Sequence, residues 1–347
     1  MTATSARTAF RALITCLMLV AVVGADEPPA AQIDPARSTV QAFIARMSAQ
    51  HGFSTDALTQ LFAQAKTQQP ILDAMSKPAE RTLAWYEYRA RFVTEQRIAD
   101  GAQFWAEHRE LLDDTAKKYG VAPQYLIAIL GVETSYGRIM GRYRVLDALS
   151  TLAFDYPARS AYFTSELEQF LLLTREESLD AQAPVGSYAG AMGAPQFMPS
   201  SLRKFAVDAD GDGKRDLWAD WPDILASVGN YFRVHGWQTD GPVLADVEID
   251  QEHAHDLDSR PTTLSETVGS LKDKGVQFHD TLPNDAPAML IAADEADQVR
   301  FRVGFNNFYV ITRYNRSPLY AMAVHELANQ VLERTFRKEP DEPPPSQ

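Results

Sequence analysis

The chain has 347 residues, 33 Lys+Arg against 46 Asp+Glu and a formal net charge of −13. That balance excludes a nucleic-acid binder that works by neutralising phosphates, and a single cysteine excludes an intramolecular disulfide or a Cys-rich zinc site. With 45% hydrophobic residues, the chain has the composition of an ordinary globular protein with one large core or two to three domains.

Arg7 and Arg11 precede an apolar run over 12–23, and Gly24 and Ala25 supply small residues before Asp26 and Glu27. A basic segment, a short apolar run and a small residue at the cut describe a secretory signal peptide over 1–25. A retained N-terminal anchor is the alternative, although the run is short for a membrane span. Cys16 follows Thr15 inside the apolar run, so lipoprotein anchoring is not expected. Cleavage removes two arginines and no acid, taking the charge from −13 to −15.

Residues 26–37, rich in Pro and Ala, read as a flexible leader. Helical spacing fills an α-helical domain over 38–114, where Val40, Phe43, Ile44 and Met47 share one face and Leu58, Leu61 and Phe62 another. Pro70 and Pro78 punctuate it, and one helix is expected over 83–98. In the next region, 115–240, Pro123 starts an apolar helix over 124–133 that Gly137 ends. Segments 146–152, 162–173 and 225–235 read as helices, and 180–199, rich in Gly, Pro and Ser, as a loop. After Gly241 the pattern changes. Segments 243–249 and 288–292 are β-type, and 298–312 alternates around Gly304 and Asn306-Asn307 as a hairpin would. Residues 241–310 therefore read as a small β-rich insert. Segment 311–337 returns to the core through a helix over 319–336, and the Pro-rich tail 338–347 reads as disordered. The fold class is α+β, mainly α.

Four features carry candidate chemistry. Glu133 closes the apolar helix, and a carboxyl there loses solvation and holds its proton towards neutrality, as a general acid must; a core glutamate with a hydrogen-bond partner has the same signature. The segment 187–201 offers Gly190 and Gly193 for close backbone approach, Gln196 as a fixed donor and acceptor, and Met192 and Phe197 as apolar contacts. That suits an amide-substituted sugar, or simply a tight loop packed on the core. In Asp208-Ala-Asp-Gly-Asp-Gly, aspartates at positions 1, 3 and 5 with Gly213 at 6 open a calcium loop. Asp216 stands at 9, and Ala219 occupies position 12, so Asp220 or Asp223 would have to close the coordination; an ion-free turn is the alternative. The segment 312–320, read as joining the last strand to the final helix, offers Tyr314, Asn315 and Tyr320 for sugar orientation. His253 and His255 read as solvated surface, and His235 as a helix end. No Gly-Lys-Ser phosphate loop, Gly-x-Ser-x-Gly elbow or His-Glu-x-x-His motif occurs.

In order and spacing these segments resemble the lytic murein transglycosylase B family. The resemblance runs from Trp85 to Val331 and includes Trp85-Tyr-Glu-Tyr-Arg89, Gly131-Val-Glu-Thr-Ser-Tyr-Gly137, Asp147-Ala-Leu-Ser-Thr-Leu-Ala-Phe-Asp-Tyr-Pro157, Gln196-Phe-Met-Pro-Ser-Ser201, the aspartate loop, Ser227-Val-Gly-Asn-Tyr-Phe232, His235-Gly-Trp237 and Arg313-Tyr-Asn315. It implies a lysozyme-like core flanked by an α-helical domain and a small β domain. It also implies periplasmic cleavage of the N-acetylmuramic acid–N-acetylglucosamine bond of peptidoglycan to 1,6-anhydromuramyl ends, by a monomer acting on glycan strands beside other cell-wall enzymes. By the resemblance, Glu133 is the catalytic acid and base, Ser187 and Asn315 lie near it and the substrate's acetyl group, and Gln196, Phe197, Tyr231, Tyr314, Tyr320 and Tyr88 line the cleft. Asp208, Asp210, Asp212 and Asp223 correspond to calcium ligands, with a backbone carbonyl from Lys214; no organic cofactor is implied. Where some members carry paired arginines that meet the peptide stem, this chain has Ala158-Arg159, leaving Arg159 alone. Most glycosidases use two carboxylates, and no convincing second stands near Glu133, since Asp147 and Asp155 could as well be caps. A hydrolytic muramidase on the same fold and a non-catalytic peptidoglycan-binding module are the alternatives.

Overall fold

The computed structural model describes residues 31–76, 83–249, 257, 259, 261 and 263–337. The expected signal peptide, part of the expected leader, Pro78, the pair His253 and His255 and the tail lie outside the described residues.

Six helices come first: α1 (Ser38–His51), α2 (Thr55–Ala63), α3 (Gln69–Ser76), α4 (Trp85–Phe92), α5 (Glu95–Glu107) and α6 (Arg109–Tyr119). The single helix expected over 83–98 is two. Thr94 leaves helical geometry and its hydroxyl accepts the Arg97 N–H, so a new helix starts there. Next come α7 (Pro123–Thr134), β1 (Tyr143–Arg144), α8 (Val145–Asp155), a 3-10 turn (Pro157–Arg159), α9 (Ser160–Glu176), β2 (Val185–Gly186), α10 (Pro199–Phe205) and α11 (Trp221–Val234). The remainder is β3 (Leu244–Glu248), β4 (Glu266–Thr267), α12 (Val268–Asp273), β5 (Gln277–Phe278), β6 (Pro287–Asp294), β7 (Val299–Gly304), α13 (Asn306–Tyr314) and α14 (Pro318–Phe336).

The larger sheet runs β4-β6-β7-β3-β5, all antiparallel. Strand β6 is buried on both faces. Ala288 and Leu290 join Val268, Leu271, Val276, Val303 and Phe305 in a local core, whereas Met289, Ile291 and Ala293 belong to the main helical core. The two-residue period of a strand thus joins the two cores.

The hairpin expected over 298–312 is not formed. The tight turn lies one strand earlier, between β6 and β7, closed by Glu295 N–H to Gln298 C=O at 2.8 Å. From Asn306 the chain is helical, because Phe308, Ile311 and Thr312 recur at helical spacing and all are buried. Asn306 and Asn307 pin the 236–241 loop rather than forming a turn. Asn307 accepts the Gln238 N–H at 2.8 Å and donates to the Gln238 and Gly241 carbonyls, and Asn306 donates to the Gly236 carbonyl. Tyr314 therefore ends a helix and does not lie in a strand-to-helix linker.

Candidate active site and cation loop

Helix α7 is buried on every side from Tyr125 to Thr134. A helix apolar all round must run through the core, so its last turn carries Glu133 to a place with little water. Burial penalises the carboxylate and lifts its pKa from the ordinary 4.5 to about 7. The Tyr320 hydroxyl, from the first turn of α14, donates to Glu133 Oε1 at 2.6 Å and pulls the other way, but burial is the larger effect. A carboxyl that exchanges its proton near neutrality can serve as acid and then as base.

Around it lie aromatic rings from three helices and the 187–197 loop. Tyr314 stacks on Tyr320 at 6.5 Å and meets Tyr231 at 4.8 Å, and Phe197 lies 5.5 Å from Tyr231 and 5.7 Å from Tyr314. Tyr231 donates to the Arg313 carbonyl and Tyr314 to the Pro195 carbonyl, each at 2.7 Å. Burial, reinforced by the charge of Glu133, raises the pKa of all three phenols, which therefore stay protonated. Tyr88 packs on Phe92 at 4.7 Å and acts electrostatically on Tyr320.

The 187–197 loop folds on itself. Ser187 Oγ accepts the Ala191 N–H at 3.0 Å, and an accepting hydroxyl can still donate its own proton. Gly193 has φ +70, and a Cβ there would meet the Leu217 carbonyl oxygen at 2.3 Å, so no other residue fits. Gln196, also left-handed, donates to the Gly193 and Met140 carbonyls at 3.0 and 3.1 Å; its amide nitrogen holds the loop. Asn315 caps the end of α13, with its carbonyl accepting from Ser317. Arg159 is set apart from the Glu133 cluster, lying over Tyr162 at 4.7 Å and Phe163 at 5.2 Å.

Neither Asp147 nor Asp155 is brought to Glu133. Asp147 accepts from both ends of the Arg144 guanidinium and from the Lys66 N–H, and Asp155 accepts from Arg37 and Thr67. Both clamp the N-terminal helices to α8.

In the aspartate loop, carboxylate oxygens of Asp208, Asp210 and Asp212 lie within 4.8 Å of one another. Backbone N–H groups of Gly211 and Gly213 bind Asp208, and those of Asp212 and Lys214 bind Asp210 and Asp212, which fixes the loop's shape. Gly211 and Gly213 supply its left-handed turns, with φ of 81° and 86°. An oxygen-only donor set of this kind fits a hard divalent cation such as calcium. Asp223 is not brought into that cluster. It is buried at the start of α11, and its two oxygens accept the Ala209 and Asp216 N–H groups at 2.7 and 2.8 Å, so it ties the two ends of the loop together. Lys214 contributes its N–H to Asp212.

The residues just after Glu133 shape the site, although little in their sequence signals it. Thr134 is fully buried, and Ser135, Tyr136 and Gly137 are successively left-handed, with φ of 50°, 63° and 80°. The helix is thus capped at Ser135, ahead of the expected Gly137. Gly137 was the available signal of a reversal, but nothing local announces two non-glycine residues in that geometry.

A family model for the transglycosylase SLT domain matches residues 35–329. Membrane-bound lytic murein transglycosylase B of Escherichia coli is 40% identical over 300 residues, covering 84% of this chain and 82% of that protein. The X-ray structure of the catenated lytic transglycosylase SltB1 from Pseudomonas aeruginosa superposes with a TM-score of 0.84 at 45% identity, covering 86% of this chain and 99% of that one. A calcium complex of an Escherichia coli lytic transglycosylase superposes with a TM-score of 0.80 at 38% identity, covering 89% and 97%.

Proposed function

The chain belongs to the transglycosylase SLT domain family and is a lytic murein transglycosylase with a lysozyme-like fold, and from that premise we propose that Glu133 alone serves as its acid and base. The proton of Glu133 passes to the glycosidic oxygen as the bond from muramyl C1 to that oxygen breaks. The muramyl 6-hydroxyl oxygen then bonds to C1, and its proton returns to Glu133. The product is a 1,6-anhydromuramyl end, no water is consumed, and the carboxyl is regenerated. The observation that carries this reading is the buried carboxyl with its pKa lifted to about 7 and a single hydroxyl at 2.6 Å.

A lone acid leaves the positive charge developing at C1 to the substrate, whose N-acetyl group can stabilise it. In this reading Ser187 and Asn315 orient that group. Phe197, Tyr231, Tyr314, Tyr320 and Tyr88 supply the apolar faces and phenol donors of the cleft, with Gln196 shaping its loop. Arg159, stacked on Tyr162, offers one cation to a peptide stem. The 208–223 loop takes calcium through Asp208, Asp210 and Asp212, with Asp223 bracing it and the Lys214 carbonyl as a further donor. Bound calcium offsets the crowded charge of the loop. Function on peptidoglycan accords with export by the 1–25 signal and a periplasmic location. No helix among the described residues is long and apolar enough to cross a membrane. The 38–114 helices, the 115–240 catalytic core and the 241–310 insert act as the working units.

Mass spectrometry of muropeptides from digested sacculi tests the reaction. Anhydro ends without incorporation of labelled water are expected. Reducing ends would make the enzyme a hydrolytic muramidase, and sacculus binding with neither product would make it a binding module.

A further inference from the structure

The loop 187–197 and the helix that carries Glu133 come from separate stretches of chain, and one buried hydroxyl joins them. Thr134 Oγ1 donates to the Ala194 carbonyl at 2.8 Å and accepts the Gly137 N–H at 3.0 Å. It thereby fastens three backbone segments at once: the end of α7, the left-handed reversal after it, and the loop of Ser187 and Gln196. The reversal is strained, since two non-glycine residues in succession, Ser135 and Tyr136, adopt left-handed backbone. It is held by its surroundings. The Tyr136 hydroxyl donates to the Arg97 carbonyl at 2.7 Å, and a Cβ at Gly101 or Gly131 would come within 2.5 or 2.7 Å of that oxygen. On the loop side, the Ala194 N–H donates to the Leu217 carbonyl at 2.7 Å, and Gln196 donates to the Met140 carbonyl beyond the reversal.

We propose that Thr134 is a positioning residue that sets the separation between the Glu133 carboxyl and the sugar-contacting loop. The inference rests on the reading of Glu133 as acid and base. Position decides rate here because an acid must meet the glycosidic oxygen within hydrogen-bond reach, and a misplacement of about 1 Å can cost about a hundredfold. Valine has the shape of threonine, but its methyl cannot approach a carbonyl oxygen as a hydroxyl does. It pushes Ala194 away and leaves the Gly137 N–H and the Ala194 carbonyl without this partner. Serine restores the hydroxyl and removes only the other methyl.

The test is steady-state kinetics on soluble glycan strands for Thr134→Val, Thr134→Ser and Glu133→Gln, each measured well below its own unfolding temperature. We expect Thr134→Val to lose about tenfold to a hundredfold in kcat with KM within about twofold. Thr134→Ser should recover most of kcat while keeping a lowered Tm, because the lost methyl weakens packing and not position. If folded Thr134→Val keeps wild-type kcat, or if Thr134→Ser is as slow as Thr134→Val, the positioning role is overturned while an inactive Glu133→Gln leaves the acid in place. If Glu133→Gln turns over normally, the acid assignment falls, and the inference built on it falls too.

Discussion

At the end of α7 a single carboxyl, Glu133, is buried and hydrogen-bonded to the Tyr320 phenol, whereas in the 208–212 loop three carboxylates crowd within 4.8 Å at the surface. The side-chain chemistry is nearly the same, and the surroundings separate the two. A lone carboxyl without water lowers its cost by taking a proton, so its pKa rises to about 7. Three carboxylates close together at the surface repel one another, and a hard cation would relieve that repulsion. On the proposed reading one region exchanges a proton and the other holds an ion, and each can be broken without the other.

The largest expected effect is on turnover. Glu133→Gln keeps the shape and the acceptor for Tyr320 but cannot donate a proton to the leaving oxygen. Activity on sacculi should fall by about 10²–10⁴-fold or more, with sacculus binding retained; wild-type activity would remove the distinction between the two regions.

A second effect is on stability. Glu133 holds its proton to about pH 7 when folded, against the ordinary 4.5 when unfolded. Between those values folding takes up a proton, so the benefit is full below pH 4.5 and is lost as pH rises through 7. At pH 8 the buried charge costs up to about 3 kcal/mol. Glu133→Gln should thus unfold at higher denaturant than wild type at pH 8, and the gap should close at pH 4. An equal gap at both pH values would show that the carboxyl is not buried in solution.

A somewhat smaller effect belongs to the loop. Calcium at 100 times its Kd should add about 2.7 kcal/mol to unfolding, read as a rise in Tm that a chelator reverses. Asp210→Asn and Asp212→Asn should abolish that rise and leave turnover chemistry intact, while raising the calcium-free Tm because repulsion is relieved. A Tm indifferent to calcium and chelator would end the ion assignment.

The sequence carried much of this contrast, unevenly. The apolar run that ends in Glu133 and the alternate aspartates of 208–212 are local patterns, and both stood out. Tyr320 beside Glu133 was visible only through family resemblance, since 187 residues separate them. Asp223 was expected among the calcium ligands as a closing carboxylate and by family resemblance; it stands outside the cluster of Asp208, Asp210 and Asp212, and its oxygens accept the Ala209 and Asp216 N–H groups. The hairpin expected at Asn306-Asn307 failed for a similar reason. Asparagine pairs favour tight turns locally, yet here distant carbonyls at 236, 238 and 241 engage them. Thr134 gave no signal, because its partner Ala194 lies 60 residues away.

The most direct test is the titration of Glu133 itself, by carbon NMR of the side-chain carboxyl with Glu133→Gln identifying its resonance. A midpoint at about pH 7 is expected. A midpoint near 4.5 would contradict it, because a carboxyl ionised throughout the working range could not be the acid on which the chemistry depends.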